Sequence, residues 1–309
     1  MTMQICSAPC CWGVDDPKNP YLPNWKTVLS EASIAGYKGI ELGPYGYLPL
    51  DAQVVNHELE KNHLSIIAGT IFDDLVSKSN FEQLKKQTRD ICSLITKLPQ
   101  PGKYPHQHYQ TPYLVLIDWG HDVRDYGAGH SETTPRLSAD EWSNMVMQIS
   151  EISKIAFNDY GVRPVIHHHA GGYIEFADEI DQIAQDINND IAGLLLDIGH
   201  LQYSGMDPVQ WLKKYRDRID YIHFKNINPK VYDAIMQEHI RFFDAVAKGV
   251  MCPLNKGLIN YKEIYNTLLE IGYEGYITIE QERDPRNSSG SLADVKESRE
   301  FLLSVGFTD

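Results

Sequence analysis

Short apolar runs recur along the chain, separated by longer stretches that carry apolar residues at helical spacing. The runs at 4–8, 39–42, 65–68, 113–117, 164–168, 192–197, 219–224 and 276–280 make eight strand candidates. Several are apolar without alternation, as in Ala-Gly-Leu-Leu-Leu before Asp197, the pattern of a strand covered on both faces. Between them, 24–35, 81–98, 139–157, 174–187, 207–215 and 261–271 read as helices, and Gly36 and Gly272 stand where C-caps belong. Strand and helix alternating over this length predict one α/β domain, a single (β/α)8 TIM barrel spanning 1–309. No internal repeat, Pro/Ser linker or break in composition marks a second domain. Two connections are long, 99–112 with further polar residues at 122–135, and 225–257; long loops after strands are where barrels keep their chemistry.

Composition narrows the function. Hydrophobic residues at 42% and charged residues at 23% are the proportions of a folded chain. A net charge of −14 repels phosphate backbones and anionic membranes, so a small neutral substrate is expected, with no nucleic-acid or membrane partner. The five cysteines (Cys6, Cys10, Cys11, Cys92, Cys252) lack paired CxxC spacing and read as reduced thiols. No run reaches membrane-spanning length and the start lacks the features of a signal peptide, so a cytoplasmic location is expected.

Three of the runs end on a side chain that binds metals: Asp197 after three leucines, His223 after Tyr-Ile, and Glu280 after Ile-Thr-Ile; a fourth ends in His167, His168 and His169. Taken singly, a strand-end Asp more often caps a helix and a lone His more often packs in a core. Four ends that a barrel gathers at one mouth, with complementary donors, outweigh that reading, because capping gives no reason to place His and Glu there. Mixed His and carboxylate donors suit Mn, Co, Fe or Zn, and oxygen-rich versions shift toward Mn or Mg. Strand alternation puts His167 and His169 on one face and His168 on the other. Further polar strand ends are Glu41, Asp118 with His121, His200 in Asp-Ile-Gly-His, and Lys225. Lys225 is either a solvated loop lysine or a donor to a substrate oxygen. Trp12 is either packing or a platform for the apolar face of a sugar. There is no GxGxxG, P-loop or GxSxG, which removes most nucleotide-cofactor and serine-hydrolase chemistry.

His-His-His-Ala-Gly-Gly at 167–172, Leu-Leu-Leu-Asp-Ile-Gly-His at 194–200 and Arg-Ile-Asp-Tyr-Ile-His-Phe-Lys at 218–225 resemble the xylose isomerase-like barrels, and among them the inosose dehydratase branch of inositol catabolism. The stretches 249–253, 280–285, 11–16 and 39–43 are similar as well, so the likeness covers nearly the whole chain, with its specific motifs in the second half. The resemblance implies a metal held by His167, Asp197, His223 and Glu280, with His167 where the wider family has Glu. It implies catalytic roles for Glu280, His169, His200 and Lys225, and substrate contacts from Trp12, Glu41, Asp118 and Glu282. The implied cofactor is Mn²⁺ or Co²⁺, with Zn²⁺ or Mg²⁺ as alternatives and glutathione as a helper. The implied substrate is a cyclitol or keto-sugar: 2-keto-myo-inositol, dehydrated through an enediolate, with Glu280 or a His of the triplet as base and His169 or His200 as acid. A sugar isomerase or 3-epimerase, or a lyase expelling an aglycone from a 3-keto glycoside, shares the ligand set and first step. The branch usually reads His-x-Lys-Asp and Pro-Gly-Asp-Gly, where this chain has His-Phe-Lys-Asn at 223–226 and Pro-Leu-Asn-Lys-Gly at 253–257; two carboxylates expected near the mouth are missing, which tilts slightly away from the standard dehydratase substrate. Related barrels assemble into dimers or tetramers, so a homo-oligomer is expected. Apurinic-site endonucleases share the superfold and an Asp-x-x-His pattern like 197–200, but a DNA grip needs basic residues that this acidic chain lacks.

Overall fold

The computed structural model describes residues 1–308. The apolar runs form parallel strands β1 (Met3–Ser7), β2 (Gly39–Ile40), β3 (Ser65–Ile66 continued by Ala68–Asp73), β4 (Tyr113–Asp118), β5 (Arg163–His167), β6 (Gly193–Asp197), β7 (Ile219–Phe224) and β8 (Gly275–Ile279). Each pairs with its neighbour in sequence and β1 pairs with β8. The two pieces of β3 are one strand interrupted at Ile67. Its N–H donates to Ile40 O at 3.0 Å and its carbonyl accepts from Tyr113 N at 2.9 Å, so this residue joins β2 to β4 and completes the ring. β3 runs on to Asp73, past its expected end, because Thr70, Ile71 and Phe72 suit a pleated, half-buried surface.

Two apolar layers hold the ring. Cys6, Val115, Val165, Leu195, Tyr113, Tyr221 and Tyr276 fill the barrel's interior, and a larger layer packs the strands' outer faces against the helices. The inside-facing residues alternate, which fixes the phase of every strand. Val165, Leu195, Tyr221 and Tyr276 point inward, so His167, Asp197, His223 and Glu280 fall on the same inward face.

The helices cover the expected segments, with additions that sequence periodicity passed over: Ala52–Lys61, Ser291–Val305 and the short Asp122–Asp125 and Ile198–Tyr203. The 225–257 connection is not an open loop. It holds helices Pro229–Glu238 and Phe242–Ala247, and Asn226–Ile227 pairs antiparallel with Met251–Cys252. The 99–112 connection departs from expectation in a different way. It leads into β4 and therefore lies at the amino-terminal end of the barrel, where it forms a plug: His106 N donates to Glu274 Oε2 at 2.7 Å, Tyr276 Oη to Gly102 O at 2.5 Å, and Tyr104 pairs with Gln4. Long loops carry barrel chemistry only when they follow strands; this one follows a helix. Among the described residues no helix is long and apolar enough to cross a membrane.

Candidate metal centre and the mouth of the barrel

His167, Asp197, His223 and Glu280 end four inward-facing rows, and one donor atom from each lies within 4.8 Å of the others. His167 Nε2 is 3.5 Å and His223 Nδ1 3.8 Å from Asp197 Oδ2, and His223 Nδ1 is 2.9 Å from Glu280 Oε2. Asp197 divides its two oxygens between the helix and the mouth. Its Oδ1 caps helix Ile198–Tyr203, accepting from Gly199 N at 2.8 Å and His200 N at 3.0 Å, while Oδ2 faces the other donors.

The set fits a divalent cation. Both ring nitrogens of His167 are buried without a hydrogen-bond partner, a cost that a native structure seldom bears unless those atoms have a ligand to bind. Burial pushes His167 down to about 4, which keeps its ring neutral as a metal ligand must be. His223 goes the other way: burial disfavours its charge, yet Glu280 and Glu41 raise it to about 10. The carboxylates around this spot are therefore arranged to hold positive charge. Glu41 Oε1 accepts from His223 Nε2 at 2.8 Å and from Tyr221 Oη at 2.7 Å. That bond fixes the ring so that Nδ1 faces the centre, as a carboxylate behind a ligating histidine does.

One step further along each inward row stands a second layer. His169, Lys225 and Glu282 follow His167, His223 and Glu280 by two residues, and His200 enters from the helix that Asp197 caps. Lys225 is fully buried; its Nζ lies 2.8 Å from Asp197 Oδ2 and 3.5 Å from Glu282 Oε1, and it also contacts Glu280. Burial works against its charge, but Asp197, Glu280 and Glu282 hold its pKa well above the usual lysine range. Glu282 Oε1 is 3.8 Å from Nε2 of both His169 and His200, whose rings are 4.0 Å apart.

The backbone assigns the protons of that histidine pair. His169 Nδ1 donates to Ala170 O at 2.9 Å, since a carbonyl only accepts, and this leaves Nε2 as the ring's proton-accepting atom. His200 Nδ1 accepts from Ala170 N at 3.2 Å, so its own proton sits on Nε2. His168 points away from the mouth and accepts from Asp197 N at 3.1 Å; burial pushes it down to about 3.

A family profile described as xylose isomerase-like TIM barrel matches residues 29–305. The chain belongs to the xylose isomerase-like TIM barrel family. Within it, the chain is 28% identical over 294 residues to an inosose dehydratase of Lacticaseibacillus casei, covering 94% of this chain and 93% of that one. Among solved structures, the IOLI protein with a bound zinc atom superimposes with a TM-score of 0.71 at 16% identity, covering 98% of each chain. A D-allulose 3-epimerase from Methylomonas sp., in complex with D-allulose, gives 0.68 at 15% identity over 98% of this chain and 97% of that one. At these identities the two structures speak for the fold.

Against this family background, two expected substrate contacts are corrected by geometry and a third takes a partner of its own. Trp12 is 2% exposed, within the layer between strands and helices, and its indole N–H donates to Glu31 Oε2 at 2.7 Å; it presents no face to the mouth. Asp118 is one residue out of phase with the inward-facing Ile117. Its carboxylate accepts from Leu75 N at 3.0 Å and Tyr173 N at 2.7 Å, with His121 Nε2 at 3.0 Å, and so ties loops together. Glu41 does reach the mouth, but its contact is His223. The two departures from the dehydratase pattern also lie off the site. Asn226 is out of phase with Lys225, and its amide clamps the following loop, donating to Leu254 O at 2.6 Å and accepting from Ile227 N and Ile259 N, each at 2.9 Å. Lys256 is a surface residue paired with Glu297 at 2.7 Å.

Sequence reasoning missed the apolar wall of the mouth. Phe72 stacks on Trp119 at 5.2 Å, Phe243 meets Trp119 edge-on at 5.0 Å, and His169 is 5.4 Å from Phe72 and 5.5 Å from Trp119. Phe72 and Phe243 remain 39% and 37% exposed, so this cluster, not Trp12, offers ring faces to a ligand. Trp119 directly follows the end of β4 and Phe72 lies near the end of β3, a positional signal of the kind applied to Trp12.

Proposed function

We propose that the chain is a metal-dependent dehydratase that removes water from 2-keto-myo-inositol. The observation that carries this is the two-layer mouth: four convergent metal donors, and above them a buried lysine, a carboxylate and a histidine pair with complementary protons. Similarity to inosose dehydratases over nearly the whole chain supports the substrate.

His167, Asp197, His223 and Glu280 would hold the cation, Mn²⁺ or Co²⁺ by the mixed donor set, with Zn²⁺ consistent with the IOLI neighbour. When bound, it supplies Lewis-acid polarisation of the substrate ketone. Lys225, a fixed cation beside the same carboxylates, donates to the substrate oxygen on which negative charge develops. Glu280, with one oxygen toward the donor cluster, removes the proton from the carbon next to the ketone. His169 Nε2, having taken up a proton from solvent before the step, gives it to the departing β-hydroxyl, which leaves as water, and the proton taken by Glu280 returns to solvent. His200 Nε2–H holds that hydroxyl as a donor, and Glu282 orients the pair. The aromatic wall packs against the ring's C–H face.

Proton NMR of 2-keto-myo-inositol in D₂O, with metal-stripped enzyme and then with Mn²⁺ or Co²⁺, tests the reading. Metal-dependent conversion to the dehydrated diketone is expected. Deuterium incorporation without loss of water would replace it with an isomerase or epimerase; an inert substrate would redirect the assay to 3-keto glycosides and free ketoses.

A further inference from the structure

Glu175 has no place in the chemistry above, yet it is 1% exposed and sits directly behind the histidine pair. Its Oε1 accepts from Gly129 N at 2.7 Å and Ser204 Oγ at 2.8 Å, and its Oε2 from Gly171 N at 2.8 Å, with Arg124 Nη2 3.7 Å away. One carboxylate thus ties together the loop after β4, the loop after β5 and the helix after β6.

The bond to Gly171 is the informative one. The N–H of Gly171 and the C=O of Ala170 belong to one peptide unit, which is rigid and planar. The N–H end of that unit is held by Glu175; the C=O end accepts the Nδ1 proton of His169. The sequence of contacts is carboxylate, peptide, imidazole, with every hydrogen bond pointing the same way. Bonds in such a chain polarise one another; burial pushes Glu175 up to about 7 against the pull of Arg124 and the two amides, and its ionised form at the end of the chain makes Ala170 O a stronger acceptor. The unit has little freedom to turn: Gly171 has φ +90°, and a Cβ there would meet Trp119 Cζ3 at 2.7 Å.

We propose that Glu175 is a positioning residue for His169, acting through the Ala170–Gly171 peptide as the aspartate acts on the histidine of a catalytic triad, at the remove of one peptide. It holds the Nδ1–H tautomer and aims Nε2 at the substrate. The inference rests on His169 as the mouth's acid.

The test is Glu175→Gln, which keeps the shape but accepts from only one of the two glycine amides while directing an NH₂ at the other. Long-range ¹H–¹⁵N spectra of the substrate-free protein loaded with diamagnetic Zn²⁺, with His169 assigned by loss of its signal in His169→Asn, should show one Nδ1–H tautomer in the parent and a mixture in the variant. With inosose, kcat should fall about 10- to 100-fold with KM within about twofold, part of the roughly 10²–10⁴-fold that acid–base catalysis contributes. In a His169→Asn background, Glu175→Gln should cost no further activity. An unchanged tautomer, or a loss of activity that persists in the His169→Asn background, overturns the proposal and leaves Glu175 a structural clamp. If inosose proves not to be a substrate, the spectra still decide the role of Glu175, so the two failures are told apart.

Discussion

At the amino-terminal end of the barrel, Asp220 is fully buried and committed: Arg163 Nε donates to its Oδ2 at 2.7 Å and His108 Nδ1 lies 3.3 Å from its Oδ1. Arg163 also reaches Asn189 Oδ1 at 3.0 Å and lies 3.8 Å over the ring of Tyr109, and the 99–112 plug covers the group. At the carboxyl-terminal end, Asp197, His223 and Lys225 are just as buried and the Glu280 side chain is 15% exposed, but ring nitrogens of His167 and His200 make no hydrogen bond. Both ends bury charge inside one ring of strands. The lower cluster pairs its carboxylate with Arg163 and His108, leaves one donor, Arg163 Nη1, without a hydrogen bond, and contributes to holding the fold. The upper one has donors left over, and donors left over in a buried place are what a ligand site requires.

That contrast predicts that charge removal at the top costs activity and at the bottom costs stability. Asp197→Asn should lower turnover by more than the roughly 100-fold typical of losing an outer-shell partner, with stoichiometric metal lost by elemental analysis. It keeps the helix cap, so the far-ultraviolet spectrum should be unchanged; retained metal and activity would sink the assignment. Asp220→Asn leaves Arg163 buried without its counter-ion and should lower unfolding free energy by about 3 kcal/mol in urea titration, with kcat and KM as in the parent. A catalytic defect there would break the division between the ends. Glu41→Gln, one step removed from the centre, should weaken metal binding about 10- to 100-fold by chelator competition, with stability little altered once the metal is loaded.

The smallest effect concerns pH. The hydrogen bond to Asp220 raises the pKa of His108 against the opposing pull of burial. The folded state thus holds this proton more tightly than the unfolded chain. The resulting stability is fully present below the ordinary histidine value of about 6.5 and fades as pH rises through the raised folded value. The melting temperature of His108→Ala should therefore fall further below that of the parent at pH 6 than at pH 9; equal gaps would show that His108 carries no proton-linked stability.

Much of the upper site was legible in the sequence, for a local reason. An inward-facing residue two positions before each strand end sets the phase, so His167 after Val165, Asp197 after Leu195 and His223 after Tyr221 share a face, and Lys225 and Glu282 continue it. Asp118 was misread because its phase is opposite: it follows the inward-facing Ile117. Asn226 fails in the same way beside Lys225. Trp12 was misread for a longer-range reason, since nothing local says that the indole meets Glu31, just as nothing local says that the Glu41 carboxylate meets His223, 182 positions away. Glu175 gave no signal at all, because its partners are two backbone amides and a serine hydroxyl from three separate segments.

The sequence by itself determined the alternation of strand and helix, the barrel class and the donor types at the strand ends, because hydrophobic periodicity and strand phase act over a few residues. Only the tertiary structure decided which donors meet, which carboxylates are consumed as loop ties, which histidine nitrogen carries a proton, and that the 99–112 segment seals the bottom instead of lining the top. Those outcomes depend on closing the ring through Ile67, which brings distant strand ends within hydrogen-bonding range of one another.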